Sequence, residues 1–295
     1  MNNQTIGIVG ATSMVGQCLI QHGIAQNHHI TAFSRQLINQ NHPNVNWQQF
    51  SSISKKEIDY KNKTIPYWIY AAPIWTLPDY FDFLLSFKLQ RIVVLSSTSR
   101  FTKQNSSNLN EQAIAQKLVE GEKLLESWAN LHAIEWIVLR PTLIYGYGRD
   151  KNVAEIAHFI QLYSFFPVLG NANGLRQPIH GDDVSTACFS ALWAGHISNR
   201  AYDITGGETL SYRQMVERVF AALKRTPRII TIPFWIFRVA TSLINLFPRY
   251  RHWNMMMATR MNQNLVFESL EAKRDLNFSA RPFRLETKDL PSQNQ

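Results

Sequence analysis

The chain begins with a short apolar run, followed by apolar residues at helical spacing. Ile6, Ile8 and Val9 predict a buried strand that leads into a turn at Gly10. The apolar residues that recur at helical spacing behind this turn are Met14, Val15, Cys18 and Leu19. The pattern therefore predicts a strand that passes through a tight turn directly into a helix.

Further apolar runs alternate with helical patterns. Five more strands are predicted at His29–Arg35, near Val45 and Trp47, at Ile65–Ala72, at Arg91–Ser97 and within Glu135–Gly146. The longest helix is predicted over Asn108–His132, with one face formed by Ile114, Leu118, Leu124, Leu125 and Trp128. This alternation predicts an α/β fold with a Rossmann-like, doubly wound parallel sheet.

The alternation loosens in the second half of the chain. We predict a dinucleotide-binding domain over residues 1–167, to which residues 178–205 return. Residues 168–177 and 206–295 are predicted to form a smaller, mostly helical substrate lobe. Sequences typical of helix starts occur at Thr76–Asp79, Asn152–Glu155 and Ser211–Gln214.

The turn GIVGATSMVG has the composition of a phosphate-binding turn. Its glycines let the backbone approach a ligand, and the amides and dipole of the following helix attract a pyrophosphate. Ser13 stands where a third glycine would strengthen the pattern, so a turn without a ligand is the alternative. The residues expected at the dinucleotide are Gly10, Thr12, Ser13, Met14, Val15 and Gly16, together with the small Ala71 and Ala72.

The end of the second predicted strand bears on the choice of dinucleotide. An acidic residue there would bind the ribose 2′-hydroxyl of NAD, but this chain has Ser34 and Arg35. A serine and an arginine suit a 2′-phosphate, so NADP is favoured over NAD. The alternative is that Arg35 is a solvated residue at a strand end.

Composition describes a folded protein with a basic region. The chain has 295 residues, 45% hydrophobic and 17% charged, and a net charge of +9. Residues 209–264 contain nine arginines and lysines and one acid, Glu217, so they carry +8 of that charge and favour an anionic partner. Only two cysteines occur and no signal peptide is recognised, which favours a reducing, cytoplasmic location.

The most hydrophobic window, Ile229–Phe247, lies inside this basic region. It is a poor transmembrane span, because it is short and contains Pro233 and Arg238. Residues 225–253 instead predict docking on an anionic membrane surface, with a helix buried in the substrate lobe as the alternative. Nucleic acid is an unlikely partner, because no nucleic-acid module is recognised.

Five motifs in order resemble the extended short-chain dehydrogenase/reductase superfamily, in particular its NAD(P)-dependent epimerase/dehydratase branch. They are GATSMVG, VVLSSTSRF, LRPTLIYGYG, RQPIHGDDV and GGETLSYRQM. The resemblance implies that Ser97 is the catalytic Ser/Thr, and that Ser96 and Pro141 lie beside the cofactor. It also implies that Arg176 binds a substrate pyrophosphate, a task for which a guanidinium is suited. The alternative for Arg176 is a surface loop residue.

The chain departs from the superfamily at its Tyr-x-x-x-Lys motif. Lys117 matches the lysine, which would be both catalytic and cofactor-binding, but Ala113 replaces the tyrosine. A register shifted by one residue, which respects Glu122, pairs Ile114 with Leu118. Without the phenol, hydride chemistry lacks its general base, worth about 10²–10⁴ in rate. The candidate substitutes are Tyr70, Tyr145, Tyr147 and His180.

Two functions are therefore compatible with the sequence. The first is an NAD(P)-dependent, epimerase-like oxidoreductase acting on a nucleotide-linked or hydrophobic carbonyl or alcohol. The second is a non-catalytic NADP(H)-binding sensor, scaffold or accessory protein of a membrane complex. No metal site is expected, because His22, His28 and His29 lack a ligand arrangement.

Overall fold

The central element is a seven-stranded sheet in which every pair of neighbouring strands runs parallel. The structure is a computed structural model that describes residues 4–50, 64–233 and 260–292. The sheet has the order β11-β6-β5-β4-β1-β2-β3. The strands are β1 (Thr5–Val9), β2 (His29–Ser34), β3 (Val45–Gln49), β4 (Tyr67–Tyr70), β5 (Arg91–Leu95), β6 (Glu135–Pro141), β7 (Ile144–Tyr145), β8 (Phe166–Leu169), β9 (Leu175–Arg176), β10 (Ile179–His180), β11 (Arg200–Ile204), β12 (Leu210–Ser211) and β13 (Ile229–Ile232).

The helices alternate with the strands of the large sheet, which confirms the predicted α/β, Rossmann-like fold. They are α1 (Met14–Ala25), α2 (Phe81–Ser86), α3 (Ser99–Thr102), α4 (Leu109–Leu131), α5 (Val153–Tyr163), α6 (Gly181–Trp193), α7 (Tyr212–Ala222) and α8 (Leu270–Leu276). Two 3₁₀ helices lie at Ile74–Tyr80 and Thr287–Asp289. The predicted long helix is confirmed to within one residue at each end, with Asn108 and His132 as its caps.

The chain divides into two units, each assembled from separated segments. Unit 1 comprises residues 1–142, 181–205 and 268–279 and contains the seven-stranded sheet. Unit 2 comprises residues 143–180, 206–267 and 280–295, with short two-stranded sheets and helices α5 and α7. The assignment of dinucleotide and substrate binding to separate parts of the chain stays a prediction.

Unit 1 buries apolar side chains on both faces of its sheet. One face packs on α2 and α4 and includes Val9, Phe33, Trp68, Ile92, Val138, Leu118, Leu125 and Trp128. Gly7 lies under the indole of Trp68, where a Cβ atom would come within 2.4 Å of the ring. The other face packs on α1 and α6. A sheet covered on both faces explains why its strands read as nearly continuous apolar runs.

Unit 2 has an apolar core of its own. Residues of α5, β8 and α7 pack together with Tyr145 and Phe283. Helix α7 begins with the predicted capping box, in which Ser211 Oγ accepts from the Gln214 amide and the Gln214 side chain accepts from the Ser211 amide. This helix start is confirmed.

Two other predicted helix starts are wrong in their capping groups. Thr76 does not cap a helix, because its hydroxyl donates to Pro73 O and pairs with Tyr70 Oη, and a 3₁₀ helix covers this stretch. At α5, Asn152 makes no side-chain cap bond. Asp150 Oδ1 instead accepts from the Asn152 and Val153 amides at 2.8 and 2.6 Å.

The apolar window at Ile229–Phe247 is only partly described. Residues Ile229–Ile232 form strand β13, which pairs with β8, so a helix over the whole window is wrong. The rest of the window, and most of the predicted membrane segment 225–253, lie outside the described residues. Among the residues that are described, no helix is both long and apolar enough to span a bilayer.

Candidate functional site

The turn after β1 brings the predicted phosphate-binding residues together. Gly10 has φ +81°, and a Cβ atom there would meet the backbone of Ala71 and Ala72 at 2.7 Å. Gly16 is closer still, because its Cβ atom would lie 2.2 Å from Gly10 O. Only glycine allows the turn, the strand end and the helix to approach in this way.

The start of α1 has the features of an anion-binding helix end. Ser13 is its N-cap, and Ser13 Oγ accepts from the Gly16 amide at 2.9 Å. The amides of Met14 and Val15 precede the first intrahelical bonds and point out of the helix end, and no acid lies in this turn. Ser13 thus replaces the missing glycine as a cap while leaving these two amides to face a ligand.

This turn lies where the order of the sheet changes direction. From β1 the chain adds β2 and β3 on one side, then crosses to β4 on the other. The Ala71 amide donates to Val9 O at 2.9 Å, so β1 and β4 end side by side. The crevice outside such a switch point is where doubly wound sheets bind their ligands.

Ser34 and Arg35 lie at the carboxyl end of β2, the neighbour of β1. Ser34 is buried, and its hydroxyl accepts from the Gln36 amide at 3.1 Å. The Arg35 side chain is exposed. Whether Arg35 binds a phosphate on an adenosine ribose stays a prediction.

Ser96, Ser97 and Pro141 lie at the carboxyl ends of β5 and β6. The Ser96 amide donates to Leu139 O at 2.8 Å, and the Thr98 amide and hydroxyl both donate to Pro141 O at 3.2 Å. Ser97 Oγ accepts from the Ser99 amide at 3.1 Å. Because that bond uses a lone pair, the Ser97 hydroxyl keeps its proton for donation.

A cluster of half-buried charges around the buried Glu122 lies beside these serines. Glu122 of α4 accepts from Ser96 Oγ at 2.6 Å, from Arg140 Nη2 at 2.6 Å and from Arg100. Arg140 Nη1 also lies 3.7 Å from Asp203 Oδ1. Burial lowers the pKa of both arginines and raises the pKa of Asp203. Two cations and two carboxylates thus compensate one another at the ends of β5, β6 and β11.

An aromatic ring borders this cluster. The guanidinium carbons of Arg100 and Arg140 lie 5.1 and 5.4 Å from the centroid of the Phe101 ring, and that ring is 43% exposed. Both contacts are within the range of cation–π attraction. The ring therefore helps to hold the two cations against Glu122.

Helix α4 presents a different face from the one that the Tyr-x-x-x-Lys comparison requires. Lys117 and Ala113 are exposed, whereas Leu118 is buried and Ile114 is half-buried. The register shifted by one residue is therefore the one that faces the sheet. Because the Lys117 side chain is exposed, its catalytic and cofactor-binding roles stay predictions.

The four candidate substitutes for the tyrosine are each engaged elsewhere. Tyr70 is fully buried, its hydroxyl lies 2.6 Å from Thr76 Oγ1, and burial raises its pKa strongly. Tyr145 is buried against Phe283. The centroid of the Tyr147 ring lies 5.7 Å from Lys288 Nζ. His180 Nε2 lies 3.0 Å from Asp289 Oδ1, and both side chains are buried.

Arg176 holds the backbone of unit 2. Its Nη1 donates to Leu175 O and Gln263 O at 2.7 Å, and its Nη2 donates to Arg260 O. The side chain is buried, which lowers its pKa, so it is not a surface loop residue. These bonds occupy both terminal nitrogens, and binding of a substrate pyrophosphate by Arg176 remains a prediction.

No metal centre is found in the parts of the chain that the structure describes. Within residues 4–50, 64–233 and 260–292, no group of three or more His, Cys, Asp or Glu side chains could hold an ion.

Sequence comparisons give distant relatives. No family model matches the chain. An uncharacterized protein, y4nG, of Sinorhizobium fredii is 23% identical over 203 residues, 65% of this chain. Subunit 9 of the NADH dehydrogenase 1 alpha subcomplex of Arabidopsis thaliana is 25% identical over 34% of the chain, and UDP-glucose 4-epimerase of Vibrio cholerae is 20% identical over 54%. The chain spans 50%, 25% and 48% of these relatives.

Comparison with solved structures confirms the fold. MoeE5 in complex with UDP-glucose and NAD has a TM-score of 0.67 at 14% identity, covering 96% of this chain and 95% of that one. UDP-N-acetylglucosamine 4-epimerase of Bacillus cereus has a TM-score of 0.67 at 13% identity, covering 94% of this chain and 91% of that one. WbmF of Bordetella bronchiseptica in complex with NAD⁺ has a TM-score of 0.65 at 16% identity, covering 94% of this chain and 88% of that one. The chain therefore has the fold predicted from its resemblance to the extended short-chain dehydrogenase/reductase superfamily.

Sequence reasoning missed the charged cluster as a unit. Glu122 was visible only as a reason to shift the helix register, and Arg100 and Arg140 lay inside two motifs read for their other residues. A usable signal was present, because Ile114, Leu118, Leu125 and Glu122 share the spacing of one helix face.

Proposed function

We propose that this chain binds NAD(P) and is an epimerase/dehydratase-like oxidoreductase. The observation that carries the proposal is the close approach of Gly10, Gly16 and Ala71 at the switch point of the sheet. The amides of Met14 and Val15 would hold the pyrophosphate, and Ala71 and Ala72 would line the adenosine side. Proteins of known structure with this fold, MoeE5 and WbmF, have been solved with NAD.

We propose NADP as the preferred dinucleotide. The exposed Arg35 supplies a positive charge at the carboxyl end of β2, and Ser34 supplies a hydroxyl. No acidic residue occupies this strand end to bind a free 2′-hydroxyl. Removing the charge with Arg35→Ala should weaken NADPH binding by about tenfold or more while leaving NADH binding nearly unchanged.

In the catalytic form of this proposal, Ser97 polarises the substrate oxygen. Bound nicotinamide would supply or accept the hydride. The Ser99 amide orients Ser97 Oγ, and the Ser97 hydroxyl would donate a hydrogen bond to the carbonyl oxygen of the substrate without giving up its proton. Pro141 and Ser96 would pack beside the cofactor, held in place by Thr98 and Glu122. The substrate classes proposed are nucleotide-linked sugars and hydrophobic carbonyl compounds.

A second candidate is a non-catalytic NADP(H)-binding protein. The observation that favours it is the inward face of α4, where Ile114 and Leu118 stand in place of a tyrosine and a lysine. A relative of this chain is named as a subunit of NADH dehydrogenase, so an accessory role in a membrane complex is compatible with it. We also propose an anionic membrane surface as a partner of the basic region from residue 225 to 253.

Dinucleotide binding is tested with two glycine variants. Gly16→Ala would place a Cβ atom 2.2 Å from Gly10 O, whereas Gly195→Ala meets nothing within 4 Å. Calorimetric titration with NADPH and NADH should show binding for the wild type and for Gly195→Ala, and loss of binding for Gly16→Ala. Absence of binding in the wild-type chain, or unchanged binding in a folded Gly16→Ala, would overturn the proposal.

Turnover is tested separately from binding. Turnover is followed as formation of the epimeric sugar from UDP-sugars with NADP⁺ or NAD⁺, and as NADPH consumption with hydrophobic carbonyl compounds, for the wild type, Ser97→Ala and the exposed control Ser86→Ala. The catalytic form predicts loss of activity in Ser97→Ala alone. Tight NADPH binding with no turnover of either substrate class, together with co-purification with a membrane complex, would establish the second candidate.

A further inference from the structure

Two neighbouring segments of unit 2 carry exposed apolar and basic side chains. The end of α5 and strand β13 with the residues before it supply them, and they are Leu162, Tyr163, Lys224, Arg228 and Ile230. We refer to these residues as the α5–β13 face. Each of the five side chains is exposed.

Strand pairing and hydrogen bonds hold the two contributing segments together. Strand β13 pairs with β8 in parallel, with Ile229 opposite Phe166, and the Phe166 amide donates to Arg228 O at 2.9 Å. Arg225 Nη1 donates to Ile160 O and Gln161 O at 2.6 and 3.2 Å, so it caps the carboxyl end of α5. Residues far apart in sequence are thereby fixed beside one another.

The three apolar side chains of the α5–β13 face are exposed to solvent. Leu162, Tyr163 and Ile230 are 62%, 52% and 50% exposed. The half-buried Phe159 packs against two neighbouring rings. Its ring centroid lies 4.6 Å from that of Tyr163 and 5.5 Å from that of Phe166. Large apolar side chains that are held outward in a group mark an interaction site rather than a random surface.

The charge on the contributing segments has one sign. No Asp or Glu occurs in residues 156–181 or in residues 218–267, whereas the latter range carries eight arginines and lysines. Lys224 and Arg228 are exposed and lie within six residues of Ile230, and Arg225 lies between them in the sequence. A surface of this kind attracts anions and offers a place for apolar groups at the same time.

We propose that the α5–β13 face docks on an anionic lipid bilayer. Lysine and arginine would lie at the headgroup phosphates, while Leu162, Tyr163 and Ile230 would enter the interfacial region. Nucleic acid shares the phosphate chemistry, but exposed leucine and isoleucine gain nothing from a hydrated polyanion. The inference extends the membrane partner proposed above to described residues, and it does not depend on dinucleotide binding.

The test is co-sedimentation of the full-length chain with lipid vesicles. Vesicles of phosphatidylcholine containing phosphatidylglycerol are compared with phosphatidylcholine alone, at low and at high ionic strength. The wild type should bind only the anionic vesicles, and less at high ionic strength. The double variant K224E/R228E should lose at least about tenfold in affinity, because each charge near such a surface is worth a several-fold change. The matched control K123E/K273E changes the net charge equally on exposed residues of unit 1 and should bind as the wild type does.

A second pair of variants separates lipid from a polyanion. L162S/Y163S should lose vesicle binding while keeping the wild-type retention on dextran sulfate, which has no apolar phase. Its matched control is L109S/L131S, which removes two exposed leucines of α4. Circular dichroism melts verify that each variant is folded.

Three results would overturn the inference. The first is a wild-type chain that ignores anionic vesicles at low ionic strength. The second is L162S/Y163S that binds vesicles as well as the wild type, which would show that the apolar side chains do not enter the bilayer. The third is K224E/R228E that binds anionic vesicles as well as the wild type, which would assign the attraction to charges outside this face. Retained NADPH binding in these cases would leave the proposed dinucleotide function standing.

Discussion

Glu122 is the residue on which the charges of the candidate site depend. It is buried and accepts from Ser96, Arg100 and Arg140, which come from β5, α3 and β6 or their ends. Burial of an ion pair is costly, and removing one partner leaves the other charge uncompensated. Its position between three elements means that its loss is felt by all of them.

We expect Glu122→Gln to lower the free energy of unfolding by about 1–3 kcal/mol, because two partly buried guanidinium groups would lose their carboxylate. Urea unfolding followed by circular dichroism measures the change. Glu126→Gln removes an exposed acid from the same helix and should stay within about 0.5 kcal/mol of the wild type. Equal effects of the two variants would show that the cluster does not stabilise the fold.

In unit 2, Asp289 is a buried carboxylate that, like Glu122, accepts hydrogen bonds from several groups. Burial by itself raises the pKa of this carboxyl, but hydrogen bonds from His180 and from the Glu286 and Tyr147 amides outweigh it, so the pKa is lowered overall. A Cβ atom on Gly146 would lie 2.8 Å from His180 Nε2, so the pair leaves no space for a side chain there.

The lowered pKa of Asp289 predicts a pH dependence with a definite sign. The stabilisation is fully present above the unfolded-state pKa of about 3.9 and is lost as the pH falls through the folded value. Asp289→Asn should therefore be less stable than the wild type at pH 7 by about 1–3 kcal/mol, with a smaller difference in acid. Urea unfolding of both proteins at pH 7 and at an acidic pH measures the difference in their free energies of unfolding. A difference that grows on acidification would contradict the prediction.

At the scale of elements, the pattern of apolar residues was sufficient to predict the ends of helix α4, but it left open which residues form its buried face. The helix runs within one residue of its predicted ends, because its apolar face and caps are local properties. The register of its buried face was open, because burial of Glu122 depends on arginines from other elements. The cap at Asp150 was missed although its bonds are local, because Asn152 offers a similar side-chain acceptor two residues later. The 3₁₀ helix at Ile74–Tyr80 was missed because the Thr76 hydroxyl bonds to Pro73 O instead of capping a helix.

The face of α4 leads to a gain-of-function prediction. Ile114→Tyr places a phenol in the half-buried register, and I114Y/L118K adds the lysine one turn later. If Ser97 orients a substrate carbonyl, either variant should raise NADPH turnover by about 10²-fold, the usual contribution of a general acid–base. Assays use the same substrate panel as for Ser97→Ala.

The control for this prediction is Ala113→Tyr, which completes Tyr-x-x-x-Lys in the sequence with Lys117. Because both positions are exposed, this variant should gain no activity. Activation by Ala113→Tyr alone would mean that the solvent-facing register is the functional one.

At the scale of the whole molecule, ligand binding is expected to add to the stability of the fold. NADPH at about one hundred times its dissociation constant should raise the free energy of unfolding by about 2.7 kcal/mol. NADH at the same concentration should give less, because it lacks the phosphate that Arg35 would bind. Urea unfolding with each nucleotide measures the difference, and 2′,5′-ADP should compete better than AMP. A larger effect of NADH would contradict the assignment of Arg35.

The order in which segments enter the two units has a consequence for synthesis. Unit 1 receives its edge strand β11 only at residues 200–204, and Tyr202 Oη and Arg200 then bond to Asp275, near the end of its last segment. A ribosome therefore releases most of the chain before this sheet can be completed. While residues 142–199 are translated, the nascent polypeptide would expose the unpaired edge of β6. The yield of the protein in cells should therefore depend on chaperones more than on the stability of the folded molecule.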